Sequence, residues 1–241
     1  MQFFIVCKIV YDIWTVIRYK ILNLHYIISS GKGREALIID PVIENTENYI
    51  NILKNLDLKL VKVIDTHIHA DHISGLNELN KRTKCSKIMG EKSSAEVLDI
   101  RVKDNEKIKI ENIELISMHT PGHTDCSYSF LMNDRVFTGD ALLINGTGRT
   151  DFQNGNSHDA YDSLFNKLLK LPEKTLVYPA HDYNGEKKST IENEKKTNPR
   201  LQVSSAEEFA EMMNNLNLTI PKMLNIAVPA NIKGLTLDQV N

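Results

Sequence analysis

Thr66-His67-Ile68-His69-Ala70-Asp71-His72 follows directly on an apolar run, Leu58-Lys59-Leu60-Val61-Lys62-Val63-Ile64-Asp65. A compact apolar run bounded this way reads as a buried strand. The polar segment behind it is then a loop at the strand's end, where several side chains can be aimed at one point. Side chains alternate with period two along an extended chain, so His67 and His69 share one face. Asp71 and His72 stand where a helix over 73–81 is predicted to begin, so ligand-type groups are offered from two sides.

The pattern repeats further along the chain. His123 in Thr120-Pro121-Gly122-His123-Thr124, Asp140 in Thr138-Gly139-Asp140 and His181 in Tyr178-Pro179-Ala180-His181-Asp182 each follow a predicted strand. Imidazoles and carboxylates together suit zinc, iron, manganese or copper. Seven such groups suffice for two metals, with Asp140 as the bridging carboxylate. An isolated polar residue at a strand end is ordinarily a cap or a turn former. So many of them gathered at strand ends would be costly to bury without a cation.

Around these motifs the chain alternates strands and helices. Strands are predicted over 3–11, 21–28 and from Ala36 to Asp40, the last closed by Pro41. Tyr49, Ile50, Leu53 and Leu56 lie at helical spacing over 46–56, and the strand over 58–65 comes next. Short strands are predicted near Ile108 and over 113–117, 127–132 and 135–138, then a helix over 159–169 and a last strand at Leu176-Val177-Tyr178-Pro179. Helices over 186–196 and 205–214 follow, the second opened by Ser204 with Glu207 as a capping box. Mixed strands and helices in this order imply two sheets with helices packed outside. No repeat, low-complexity tract or linker divides 1–241, which reads as a single domain. His25 falls in a strand, His119 and His158 are read as structural or solvated, and Phe209, Met212 and Met213 as core.

Composition narrows the function classes. The chain has 241 residues, of which 41% are hydrophobic, enough to bury roughly 70% of its unfolded surface. Its formal charge is −2 with both signs scattered, which gives no bulk reason to expect nucleic acid or an anionic membrane as partner. Lys8, Asp12, Arg18 and Lys20 interrupt the apolar opening, so no uncharged stretch spans a bilayer. Cys7, Cys85 and Cys126 are an odd count without paired spacing. They argue for a reducing compartment and against a disulfide framework or a cysteine metal site.

The set His67, His69, Asp71, His72, His123, Asp140 and His181 resembles that of the metallo-β-lactamase fold, an α/β architecture in which an αβ/βα sandwich of two mixed sheets carries helices on its outer faces. Within that superfamily the 66–72 segment resembles the glutathione persulfide dioxygenases, or sulfur dioxygenases. So do Thr138-Gly139-Asp140-Ala141-Leu142-Leu143-Ile144 and Gly146-Thr147-Gly148-Arg149-Thr150-Asp151-Phe152-Gln153. Tyr178-Pro179-Ala180-His181-Asp182-Tyr183, Asn198-Pro199-Arg200-Leu201 and Ala227-Val228-Pro229-Ala230-Asn231 extend the likeness, which runs from about Gly33 onward. Residues 1–28 are atypical opening strands, and 198–241 is read as a C-terminal segment packed on the domain.

The resemblance implies one Fe(II) per chain held by His67, His123 and Asp140, with glutathione persulfide and O2 as reactants and sulfite and glutathione as products. His69, Asp71, His72 and His181 then surround the ligands, or become ligands themselves if two zinc, iron or manganese ions bind. Tyr183 and Arg200 match positions that contact glutathione. Arg149, Thr150 and Asp151 are read as holding their loop, through a buried ion pair between Arg149 and Asp151. A bacterial cytoplasm, or a mitochondrial matrix in a eukaryote, and a homodimer follow by analogy. The alternative is a hydroxyacylglutathione hydrolase, a dinuclear thioesterase like glyoxalase II. The 146–153 segment and the short C-terminal segment weigh against it.

Overall fold

The computed structural model describes residues 12–18 and 23–240. The strand predicted over 3–11 lies outside them, as do Cys7 and the first two positions of the strand predicted over 21–28. The first sheet contains β1 (Asp12–Arg18), β2 (Asn23–Ser29), β3 (Glu35–Ile39), β4 (Lys59–Ile64), β5 (Ser86–Gly90) and β6 (Ile100–Val102), in that spatial order. Its first two pairings are antiparallel and its last three parallel. The second contains β7 (Lys107–Ile110), β8 (Ile113–His119), β9 (Tyr128–Leu131), β10 (Arg135–Gly139), β11 (Leu176–Pro179) and the two-residue β12 (Ser189–Thr190), in order β12-β11-β10-β9-β8-β7. There β10 and β11 run parallel and the other neighbours antiparallel. Both sheets are therefore mixed, as the sequence implies.

The layers follow from side-chain periodicity. In β8, Ile113, Leu115 and Ser117 are buried in alternation with half-exposed Glu114 and Ile116, the signature of a strand with one face on a core. That core lies between the sheets and joins Tyr26, Leu37, Ile39 and Ile64 of the first to Leu115, Phe130, Phe137 and Tyr178 of the second. The outer face of the first sheet is covered by α1 (Thr46–Asn55) and α2 (Leu76–Thr83), through Tyr49, Leu53, Leu76 and Leu79. The outer face of the second is covered by α3 (Ser157–Asp162), the turns that continue it to Lys170, and α5 (Ala206–Asn214), with Phe209 and Met213 in the shared cluster. Each sheet thus buries both faces, and the αβ/βα sandwich results.

Several boundaries differ from the sequence reading. Within the atypical opening, β1 falls between the strands predicted over 3–11 and 21–28, and β5 and β6 were not predicted. The helix predicted over 73–81 starts three residues later, at Leu76, because Ser74 and Gly75 are used in a turn in which the Ser74 hydroxyl accepts from Leu76 N. The charged stretch predicted as helix over 186–196 becomes helical only in α4 (Ile191–Thr197), after β12 pairs with β11. The capping box is displaced by one residue. Ser205, not Ser204, accepts from the Glu208 amide, and the Glu208 carboxylate returns to Ser204. An unpredicted helix, α6 (Leu224–Lys233), incorporates Pro229. It inserts Ala227 and Ala230 beside Ile43 and Ile73.

Candidate metal centre

All seven ligand-type residues arrive from segments that follow strands along one edge of the sandwich. His67, His69, Asp71 and His72 come from the segment after β4, His123 from the one after β8, Asp140 from the end of β10 and His181 from the end of β11. The structure brings His67, His123 and Asp140 together, with one ligand atom from each lying within 4.8 Å of the others. The Asp140 Oδ2 is 3.6 Å from His123 Nε2 and 4.0 Å from His67 Nε2. His67 Nε2 is buried and has no hydrogen-bond partner among the described residues. A buried imidazole nitrogen left bare costs stability unless something else meets it. Two imidazole nitrogens and a carboxylate oxygen facing one point fit a divalent transition metal.

The hydrogen bonds around these imidazoles fix their tautomers. His123 Nδ1 donates to the Arg149 carbonyl over 2.8 Å, which leaves Nε2 with its lone pair free. For His67 the chain is longer. The Thr66 hydroxyl donates to Asp40 Oδ2 over 3.0 Å, so its oxygen accepts from His67 Nδ1, 2.9 Å away. The other Asp40 oxygen accepts from the Thr66 amide at 2.7 Å and from His69 Nε2 at 3.2 Å. Asp40 thus organises two histidines at once, and it does so from a left-handed backbone conformation, φ 52°, that aspartate tolerates better than most residues.

Electrostatics separate the imidazoles. Burial, followed by the neighbouring His69 and His123, holds His67 well below the usual histidine range, so it is neutral and able to ligate. Burial pulls on His69 as well, but the Asp40 carboxylate beside it outweighs this and raises it to about 9. Burial alone would lift Asp140, yet His181, with His123 and His67 behind it, keeps the carboxyl well below its ordinary value. The Asp140 carboxylate is thus held in its charged form at neutral pH. Burial pushes Asp65, just before the loop, up to about 7.

The remaining members of the set form a second group. His181 Nδ1 bonds Asp140 Oδ1 at 2.6 Å, and its Nε2 lies 3.2 Å from Asp71 Oδ2, so one ring spans two carboxylates. His72 Nδ1 is 3.1 Å from the same Asp71 oxygen. Into this group reaches Asn23 at the start of β2, a residue that no motif singles out. Asn231 in α6, the last residue of the 227–231 likeness, supports the loop from another side. Its amide donates to the carbonyls of His69 and His72 and its oxygen accepts from Ser74 N, which pins the loop from behind.

The 147–153 loop closes the site from the other side. Arg149 makes a bidentate pair with Asp151, at 2.6 and 2.7 Å, donates to the Thr219 carbonyl at 2.6 Å, and lies 4.4 Å over the Phe152 ring. The sequence reading expects this pair to be buried. Only the arginine is covered, and the Asp151 side chain is 53% exposed, because the aspartate sits on the outer rim of the loop. Thr150 is buried beneath it. Gln153 donates to the Ile68 carbonyl, so the loop is fastened to the histidine segment itself.

A cavity of about 530 Å³ opens onto the group, with His123, Asp140, His181, Tyr183, Arg200 and Leu218 in its walls. The Tyr183 ring is stacked on His181, with centroids 6.1 Å apart. Arg200 donates to the Thr147 carbonyl at 2.5 Å and forms no ion pair among the described residues. Burial lowers its guanidinium from the ordinary value without deprotonating it. His25, His119 and His158 stay outside the ligand set. His25 Nδ1 donates to the Asp40 carbonyl, and burial lowers that ring to about 3. His119 lies 3.0 Å from the Asp125 carbonyl, and His158 sits in the first turn of α3.

Comparison with known proteins agrees with this geometry. Residues 25–181 match the family model of the metallo-β-lactamase superfamily. Persulfide dioxygenase ETHE1, mitochondrial, of Mus musculus is 42% identical over 211 residues, covering 86% of this chain and 82% of that protein. A hydroxyacylglutathione hydrolase of Dictyostelium discoideum is 31% identical over 215 residues, covering 84% and 78%. The crystal structure of ETHE1 from Myxococcus xanthus superposes with a TM-score of 0.89 at 42% identity, over 92% of this chain and 98% of that one. With the dioxygenases nearer than the hydrolase in sequence and matched in fold over nearly the whole chain, the protein belongs to the persulfide dioxygenase family of the metallo-β-lactamase superfamily.

Proposed function

We propose that the chain oxidises glutathione persulfide with O2 and water to sulfite and glutathione, at one Fe(II) held by His67 Nε2, His123 Nε2 and Asp140 Oδ2. The observation that carries the reading is the bare, buried Nε2 of His67 facing His123 and Asp140. Fe(II) on such a triad supplies electrons for O2 chemistry and keeps positions open for both reactants, which redox-inert zinc cannot do. The reaction balances as one persulfide, one O2 and one water giving glutathione, sulfite and two protons.

The protein's own groups bind, orient and exclude. Arg200, charged and with no carboxylate partner among the described residues, faces the cavity from the side of Thr147 and suits a carboxylate of the tripeptide. Tyr183 offers a ring face and a hydroxyl at the same mouth. Leu143, Ile144 and Leu218 supply apolar wall, which keeps water from the reacting sulfur. His181, fixed between Asp140 and Asp71, prevents Asp140 from turning its second oxygen away. No helix among the described residues is long and apolar enough to cross a membrane. A reducing compartment, a bacterial cytoplasm or mitochondrial matrix, suits a persulfide substrate and the free, buried Cys85 and Cys126.

Oxygen uptake by anaerobically purified protein, with metal counted on the same sample, tests the proposal. Uptake on adding glutathione persulfide should scale with iron up to about one ion per chain. Thioester cleavage without oxygen uptake would place the chain among the hydrolases instead. For the binding residues, Arg200→Ala should raise KM for glutathione persulfide about 10- to 100-fold with kcat little changed, the loss of one charge-assisted contact made equally before and during reaction. Arg200→Lys should recover only part, since lysine lacks the bidentate fork. An unchanged KM removes Arg200 from the substrate's path.

A further inference from the structure

Sequence motifs supply every ligand for a second cation, yet the space those ligands face is already filled. Asn23 Nδ2 lies 2.7 Å from Asp71 Oδ2, 3.2 Å from His72 Nδ1 and 3.2 Å from His181 Nε2. Those are the carboxylate and the two imidazoles that would hold the second ion. A transition metal held by these three residues would sit about 2.0–2.2 Å from each ligand atom, in the space among them that the amide now enters. It would fall inside the van der Waals envelope of Nδ2. An amide nitrogen is no ligand, because its lone pair is delocalised into the carbonyl. As the chain stands, the second cation does not fit.

We propose that Asn23 closes the second metal position, its side-chain amide replacing the cation among Asp71, His72 and His181. The amide cannot swing aside freely. Asn23 is 1% exposed, its backbone is bridged to His181, and the next residue, Leu24, donates to the Ala180 carbonyl at 2.8 Å. The strand that carries the amide is thus fastened to the strand end that carries His181. The amide also donates to Asp71 Oδ2, the oxygen that His72 Nδ1 and His181 Nε2 approach at 3.1 and 3.2 Å. Among the described residues, His69, Asp71 and His72 also face one another but share the carboxylate that the amide meets, and in the group of Asp40, Asp65 and His69 the His69 Nε2 is already on Asp40, which leaves the position bounded by His67, His123 and Asp140. The inference rests on the single-iron reading of that triad and explains why a full complement of ligand residues need not yield a dinuclear centre.

Metal stoichiometry tests it without reference to activity. Metal-free protein is incubated with excess Zn2+, passed through a desalting column and analysed for bound metal and for folding by circular dichroism. Wild type should retain about one ion per chain and Asn23→Ala about two, and Asp71→Asn in the Asn23→Ala background should return the count to about one. If Asn23→Ala does not fold, Asn23→Asp decides the matter. It has the same shape and offers an acceptor in place of the donor, so it too should hold about two ions. Retention of two ions by wild type overturns the inference, as does a count of one in the folded variants. A second ion present in wild type and lost on removing the amide would make Asn23 a ligand, which also overturns it. Failure of the single-iron reading is separate, since it appears as absent oxygen uptake by iron-loaded wild type whatever the zinc count.

Discussion

Alanine at position 148 is expected to empty the metal position of a chain that still folds. A Cβ on Gly148 would lie 2.2 Å from the Asp140 carbonyl oxygen and 2.8 Å from both Cγ and Nδ1 of His123. One of those is backbone and the others belong to a ring held by its own hydrogen bond, so none can yield cheaply. The loop must move outward, and the Arg149 carbonyl that orients His123 moves with it. Two of the three proposed ligands are then displaced, one in position and one in tautomer. Loss of such outer support ordinarily lowers metal affinity about 10- to 100-fold, and direct displacement adds to it, so activity should fall by about 100-fold or more. The strain itself should cost about 1–3 kcal/mol of stability. Iron retained after dialysis against a chelator, with a thermal melt alongside, reads both. Gly148→Ala protein with full iron and kcat within about threefold of wild type would show that the loop does not hold the site.

Asp40→Ala is expected to act first on stability. The carboxylate accepts from the Thr66 amide, the Thr66 hydroxyl and His69 Nε2, and it is 2% exposed. Its removal leaves three buried donors without an acceptor. At about 1–3 kcal/mol for each unsatisfied group, partly relieved by water entering the gap, the loss should reach about 3–5 kcal/mol. Alanine is also worse than aspartate in the left-handed conformation found there, by about 1 kcal/mol. A typical domain has about 5–15 kcal/mol in all, so Asp40→Ala protein should unfold at much lower denaturant. What remains folded should bind metal more weakly, because His67 loses the tautomer control passed through Thr66. Asp40→Asn keeps the size and one acceptor and should fall between the two. Equilibrium urea denaturation measures the difference, and a loss under about 1 kcal/mol would remove Asp40 from this role.

The candidate ligand residues were legible because chemistry and topology coincide in them. His67, His69, Asp71 and His72 are adjacent in sequence behind an apolar strand, and His123, Asp140 and His181 repeat that placement. Their supports were not legible, for a physical reason. Asp40, Asn23 and Asn231 are single polar residues whose partners lie far along the chain, and nothing local distinguishes a buried amide from a solvated one. Asp40 alone gave a hint, since it closes a strand just as the ligands do. The capping box slipped by one because Ser204 and Ser205 are adjacent and each is followed three residues on by a glutamate. The helix Leu224–Lys233 escaped because Pro229 reads as a breaker, whereas here it lies inside the helix. Short strands such as Ile100–Val102 hold too few residues to show a period.

The contacts of Asn231 impose an order of events on biosynthesis. It holds the carbonyls of His69 and His72, which precede it by 162 and 159 residues. At translation rates of about 5–20 residues per second, the histidine segment waits many seconds for its rear support to be made. Through that interval the nascent chain displays imidazoles and carboxylates that have no fixed arrangement and could capture whatever cation is abundant. Metal loaded after release from the ribosome meets a finished cage. Metal acquired earlier would be held by an unfinished one and remain exchangeable until the late helix docks.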